Sequence, residues 1–129
     1  MRNQIIEYIR ELNLDNFILT VELPRDESDV PLYIKNPKRI YVDLEDYSVD
    51  PIIQTLDGII IENEITTVNV IFACDAKVLP TNYSDVLRLL RGIKNIPMPG
   101  RTSRTVEIER TFESDLLITD MTFTFTKLP

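Results

Sequence analysis

Gly58-Ile59-Ile60-Ile61-Glu62-Asn63-Glu64-Ile65-Thr66-Thr67-Val68-Asn69-Val70-Ile71-Phe72-Ala73 carries the strongest β signal in the middle of the chain. It is rich in β-branched residues, and Val68, Val70, Phe72 and Cys74 alternate against Asn69, Ile71 and Ala73, which is the period of a strand and not of a helix. Apolar residues fall on both sides near Ile71 to Ala73, so this strand is expected at the centre of a sheet. The Asp57-Gly58 pair just before it is a turn signal.

Toward the C-terminus, Thr81 or Asn82 can cap a helix carrying Asp85 in its first turn. Its apolar stripe is Val86, Leu87, Leu90 and Ile93, and Arg88, Arg91 and Lys94 lie toward its end. The expected helix runs from Tyr83 to Asn95 and stops before Pro97. Two strands follow, over 105–112 and 117–127. In the last, Leu117, Thr119, Met121, Phe123 and Phe125 fall on one side and Ile118, Asp120, Thr122, Thr124 and Thr126 on the other.

Toward the N-terminus, Arg39 to Leu44 and Pro51 to Leu56 read as short strands, or as one strand and a bend, separated by the polar Glu45 to Asp50. Pro24 to Pro37 reads as a long charged loop. Phe17 to Leu23 is a strand stopped by Pro24. Residues 2–12 place Ile5, Ile6, Ile9 and Leu12 at helical spacing. The order α, several β, α, β, β predicts one α+β domain over residues 1–129, a mostly antiparallel sheet with two helices packed on one face.

The chain has 129 residues, long enough to bury about two-thirds of its unfolded surface without a disulfide or metal. It contains no histidine and a single cysteine, Cys74, which excludes Ser-His and Cys-His catalysis, a histidine-bearing zinc site, a cysteine cluster for zinc or iron-sulfur and an intrachain disulfide. Cys74 itself, within an apolar strand, reads as a small buried hydrophobe. Neither an apolar leader nor a membrane-length apolar run is present, and an intracellular, soluble protein is expected.

Net charge is -7. It is unevenly placed: residues 22–64 hold eleven acids against four bases, whereas Arg88, Arg91, Lys94, Arg101, Arg104 and Arg110 face only Glu107 and Glu109 over residues 88–110. An acidic surface repels phosphate backbones and anionic membranes, so a stand-alone DNA-binding module is not expected. An acidic and a basic region on one small domain are complementary between copies, and a head-to-tail contact of that kind closes into a ring.

Two constellations bear on chemistry. Asp57 followed by Asp75-Ala76-Lys77 has the spacing of metal nucleases that hold a divalent ion on two carboxylates, with a lysine near the attacking water. Asp43, Glu45, Asp46 and Asp50 are hard oxygen ligands at near-alternate positions, but Ser48 stands where a calcium loop needs glycine, and a solvated acidic loop is the simpler reading. The three glycines, Gly58, Gly92 and Gly100, make no phosphate-binding loop. No cofactor or metal is expected.

The succession of N-terminal helix, strand, charged loop, β-rich middle ending Glu64-Ile65-Thr66-Thr67-Val68-Asn69-Val70-Ile71-Phe72-Ala73, helix Tyr83 to Asn95 and a closing hairpin ending Met121-Thr122-Phe123-Thr124-Phe125-Thr126 resembles the tail-terminator proteins of long-tailed, lambda-type bacteriophages. The resemblance covers nearly the whole chain and implies a structural, non-enzymatic virion protein of the tail, assembled in the host cytoplasm. Such a protein forms a ring, by the family's habit a hexamer, that caps the tail tube and meets the head-tail connector protein. Its partners would be its own copies, the tail-tube protein and the connector. A head-closure or neck protein, or a tail-tube protein, is the alternative in that class, and a metal-dependent nuclease the alternative outside it.

In the ring, Arg88, Arg91, Arg101 and Arg104 are expected to face the acidic segment of the next subunit. Val30, Leu32, Tyr33 and Ile34 are the expected anchors of a docking loop. DNA would pass without specific binding through a bore lined by Asp43, Glu45, Asp46 and Asp50, because a lysine-lined channel would hold each phosphate.

Overall fold

A computed structural model of the chain describes residues 1–14, 17–20, 39–77, 79 and 81–129. Helix α1 spans Arg2–Leu12 and buries Ile5, Ile6 and Ile9. It ends at Asn13, whose left-handed conformation (φ 49°) turns the chain and returns its N–H to the Arg10 carbonyl. Strands β1 (Ile18–Thr20), β2 (Arg39–Val42), β3 (Asp46–Gln54) and β4 (Ile60–Asp75) follow. Helix α2 (Tyr83–Arg91) continues into a 3₁₀ turn over Gly92–Asn95, and β5 (Thr102–Glu113) and β6 (Leu116–Lys127) form the closing hairpin.

All six strands belong to one sheet ordered β1-β2-β4-β6-β5, with β3 paired to β4 alongside the β2 end. Only β1 and β2 run parallel. At sixteen residues β4 is the spine: its C-terminal part lies between β2 and β6, and its N-terminal part carries β3. The sequence expectation of a central strand there and of an α+β domain holds.

One face of the sheet is the core. Ile40 and Val42 of β2, Val68, Val70, Phe72 and Cys74 of β4 and Met121, Phe123 and Phe125 of β6 share a single buried cluster with Ile5, Ile6 and Ile9 of α1 and Val86 and Leu90 of α2. Phe17 packs edge-on against Phe72, their ring centres 5.6 Å apart. The only fully buried polar side chain among the described residues, Thr119, shares a 2.8 Å hydrogen bond with the Tyr83 hydroxyl and so ties α2 to β6. The opposite face carries a much smaller cluster of Tyr41, Ile71, Ala73 and Ile118.

Three sequence expectations are corrected. The helix expected to run to Asn95 is α-helical only to Arg91. Gly92 lies so close to Tyr8 that a Cβ there would fall 2.2 Å from the Tyr8 oxygen, and the tighter 3₁₀ turn carries the chain past this contact. The segment Glu45 to Asp50, read as a solvated acidic loop, is mostly strand: β3 begins at Asp46 and runs through Pro51, with a register shift between Pro51 and Ile53. Proline has no N–H to give a ladder, and it sits here on an outer strand beside a bulge, where it is tolerated. The closing hairpin is longer than expected, starting at Thr102 and turning at Ser114, which takes φ 54°.

Candidate assembly surface

Beyond Glu64, which faces Lys127 across the ladder, β4 has no β6 partner, and Ile60 to Asn63 pair with β3 alone. The β3–β4 hairpin therefore leaves the sheet as a two-stranded arm. Its tip is tied by its own atoms: Thr55 donates its hydroxyl to Asp57, the Thr55 N–H reaches the Ile59 carbonyl at 2.8 Å, and the Ile59 N–H returns to the Thr55 Oγ1 at 3.1 Å. Gly58 takes φ 85°, which closes the turn without strain. The hydroxyl of Thr55, with a smaller contribution from the backbone N–H of Asp57 itself, holds the Asp57 carboxyl below the usual carboxylate range.

This tied tip presents apolar side chains to water. Leu56 is fully exposed, Ile59, Ile60, Ile52 and Ile53 are exposed on the arm, and Val49 and Tyr47 are exposed at its root. A two-stranded ribbon is marginal on its own, and among the described residues nothing covers the apolar side chains on its two faces. No lysine or arginine occurs between Arg39 and Lys77, so the arm is anionic. Tyr47 donates to Glu64 at 2.9 Å, and this bond, with the carboxylate charge, raises the phenol's pKa.

The opposite lateral edge is β5. On its helix-side face Ile108 and Phe112 are exposed around Arg110, with Phe112 at 73%. Arg104, on the same face, is half-buried and donates to the Lys94 carbonyl at 3.0 Å, satisfying the end of the 3₁₀ turn. Arg101 is exposed at the start of β5, and Arg88 and Arg91 are exposed at the end of α2, Arg88 beside Asp85 at 3.6 Å. Of the four expected interface arginines, Arg101 and Arg104 belong to the β5 edge, Arg88 and Arg91 to the end of α2, and Arg104 is already engaged within the fold.

The open face of the sheet is of a different character. Register places Asp46 and Asp50 of β3, Asp75 of β4, Asp120 of β6 and Glu107, Glu109 and Glu113 of β5 on it, interleaved with threonines 67, 105, 122, 124 and 126. Arg39 is the one cation among the described strand residues of that face. Asn69 donates to Asp120 at 2.9 Å and to Thr122 at 3.2 Å, bracing its centre. Of the four residues expected to line a bore, Asp46 and Asp50 stand on this face. Asp43 lies at its margin, accepting from Leu44 N–H and the Tyr41 hydroxyl. Glu45 is elsewhere, 3.4 Å from the amino group at the start of α1.

The nuclease arrangement does not come together. Asp57 is at the arm tip and Asp75 at the far end of β4, about 50 Å away along the strand, too far to share an ion. Asp75 caps the Lys77 N–H at 2.9 Å, and Lys77 pairs with Asp115 at 3.6 Å. No group of three or more histidine, cysteine, aspartate or glutamate side chains able to hold a metal occurs among the described residues. Cys74 is buried, and desolvation pushes its thiol up to about 11, so it is a packing residue as the sequence suggested. No described helix is long and apolar enough to cross a membrane. The expected docking loop, with Val30, Leu32, Tyr33 and Ile34, lies outside the described residues. The apolar arm is the feature sequence reading missed; its signal was the run from Val49 to Ile61, apolar without a cation and without the alternation of a half-buried strand.

No protein-family model and no curated protein matches the chain.

Proposed function

We propose that the protein is a structural subunit of a phage tail that closes with its own copies into a ring of the tail-terminator kind, capping the tube and meeting the head connector. The observation that carries this reading is the arm: a tied hairpin holding Leu56 and Ile59 uncovered by any described residue of its own subunit is suited to a contact with another. The sheet supports the same reading. Its helix-covered face supplies the core, leaving an open face of carboxylates and hydroxyls. A surface of that kind facing the axis lets a polyanion pass and does not retain it by counterion release. In the ring, Asp46, Asp50, Glu107, Glu109 and Asp120 line the bore, Asp43 lies at its margin, and Glu45 stays beside α1.

Negative-stain microscopy and native mass spectrometry of the purified chain test this. Discrete rings with a central opening are expected; long stacked tubes would assign the chain to the tail tube instead, and a monomer at all concentrations would remove the ring. A second measurement addresses the bore. Glu107→Lys with Glu109→Lys and Asp120→Lys should leave ring formation intact and create salt-sensitive retention of duplex DNA, which the unmodified ring lacks. Rings that ignore DNA after these reversals would place the open face away from the axis.

A further inference from the structure

We propose that the β3–β4 arm of one copy docks on the helix-side face of β5 of the next copy, with Leu56 and Ile59 covering Phe112 and Ile108 and with arm carboxylates facing Arg110. This deepens the ring reading and rests on it.

Three observations converge on a second copy as the occupant. The first is charge: Asp57 at the arm's tip and Glu62 on its β4 strand are carboxylates on an arm whose own strands hold no cation, Glu64 at its root being paired with Lys127 at 3.7 Å, whereas the exposed apolar pair on β5 flanks Arg110. The second is shape. The arm is a projecting, internally tied hairpin, and the β5 patch is strand surface at the sheet's outer edge that is open to receive it. The third is position. The arm leaves the sheet from one lateral edge and from the end near Lys127, while Phe112 lies on the other lateral edge and at the end near Leu117. About a dozen residues of β4 and the width of β6 separate them, so an arm cannot fold back on its own patch. A contact between two different surfaces at opposite ends of a subunit is heterologous, and repetition of it makes a closed ring when the rotation permits.

A mixing experiment with the full chain tests the pairing. Leu56→Asp with Ile59→Asp disables the arm and leaves the patch intact; Ile108→Glu with Phe112→Asp disables the patch and leaves the arm intact. All four residues are exposed, so circular dichroism and urea unfolding should show both variants folded like the unmodified chain. Each variant alone should lose self-association by about a hundredfold or more. Mixed, they should form a one-to-one dimer that grows no further, because one good arm and one good patch remain between them. Charge reversal at Arg110→Glu should weaken the ring, and Glu62→Lys added to the same chain should recover part of the loss.

Two results overturn the pairing while leaving the ring in place: rings that persist in the patch variant, or an arm variant that stays monomeric when mixed with a patch variant that still assembles. The latter would mean that arms meet arms. Failure of the unmodified chain to associate at any concentration, by contrast, removes the ring reading itself.

Discussion

Replacing Tyr83 by phenylalanine removes one oxygen atom and tests how α2 is held to the sheet. The Tyr83 hydroxyl lies 2.8 Å from Thr119 Oγ1, and Thr119 is completely buried, whereas Tyr83 is half-buried. The two ends of this bond are therefore unequal. In Tyr83→Phe the ring keeps its contact with Phe72, at 5.8 Å between centres, but the Thr119 hydroxyl is left in an apolar surrounding without water. An orphaned buried hydroxyl costs about 1–3 kcal/mol, and about 1.5 kcal/mol is expected here. Thr119→Val removes the buried oxygen instead and leaves the tyrosine hydroxyl able to reach solvent, for about 0–1 kcal/mol. The double variant should resemble Thr119→Val alone, giving a coupling of about 1.5 kcal/mol in a double-mutant cycle. Urea unfolding with an unchanged m value is the assay, and Tyr83→Phe should also lower Tm by about 4–7 °C. Additive costs, or a Tyr83→Phe variant as stable as the parent, would refute the idea that this bond anchors the helix.

Three further outcomes follow from the same atoms. Gly92→Ala should destabilise the chain by up to about 1 kcal/mol, because the new Cβ displaces the Tyr8 hydroxyl from the Leu89 carbonyl, now 2.9 Å away; in a Tyr8→Phe background the same change should be neutral or stabilising, read by thermal melting. The buried Cys74 thiol, raised from 9.0 to about 11, stays protonated in the fold after it ionises in the unfolded chain. Its contribution is therefore complete below pH 9 and falls by about 1.4 kcal/mol per pH unit between 9 and 11, a slope that Cys74→Ala should lack in unfolding titrations. A thiol reagent at pH 8 should accordingly modify Cys74 only as fast as the chain opens.

The elements with a clean period were legible. The stripe Ile5, Ile6, Ile9 gave α1, and the alternation from Leu117 to Phe125 gave the buried face of β6, because in both cases one side of the element meets a core and the other does not. The arm was not legible, for the complementary reason: neither of its faces is buried among the described residues, so its residues show no preferred side. Asp46 to Asp50 alternates tyrosine and valine against aspartate and serine, but aspartates and a proline argue against a strand locally, and only the ladder with Glu62 to Thr67 imposes one. Nor does any local pattern show that β1 lies parallel to β2, since a three-residue strand has too little sequence to specify its neighbour. The acid-x-Lys motif misled because spacing along a chain is not spacing in a fold: sixteen residues of extended strand hold Asp57 and Asp75 apart.

The bulge at Pro51 to Ile53 bears on the time a subunit spends waiting. If the chain assembles as proposed, a free subunit must wait for its neighbours, and during that interval an outer strand beside bare isoleucines is the kind of surface on which chains zip together into fibres. An imino acid that offers no hydrogen to a neighbouring backbone, followed by a break in register, interrupts β3 near its middle and leaves runs of only a few residues on either side. On the proposed docking, the arm would thus keep the side chains for a chosen contact while its backbone is unfit for the indiscriminate one. Straightening it, as with Pro51→Val, would be expected to shorten the life of the free subunit in storage, seen as thioflavin-positive aggregate, before it altered any finished ring.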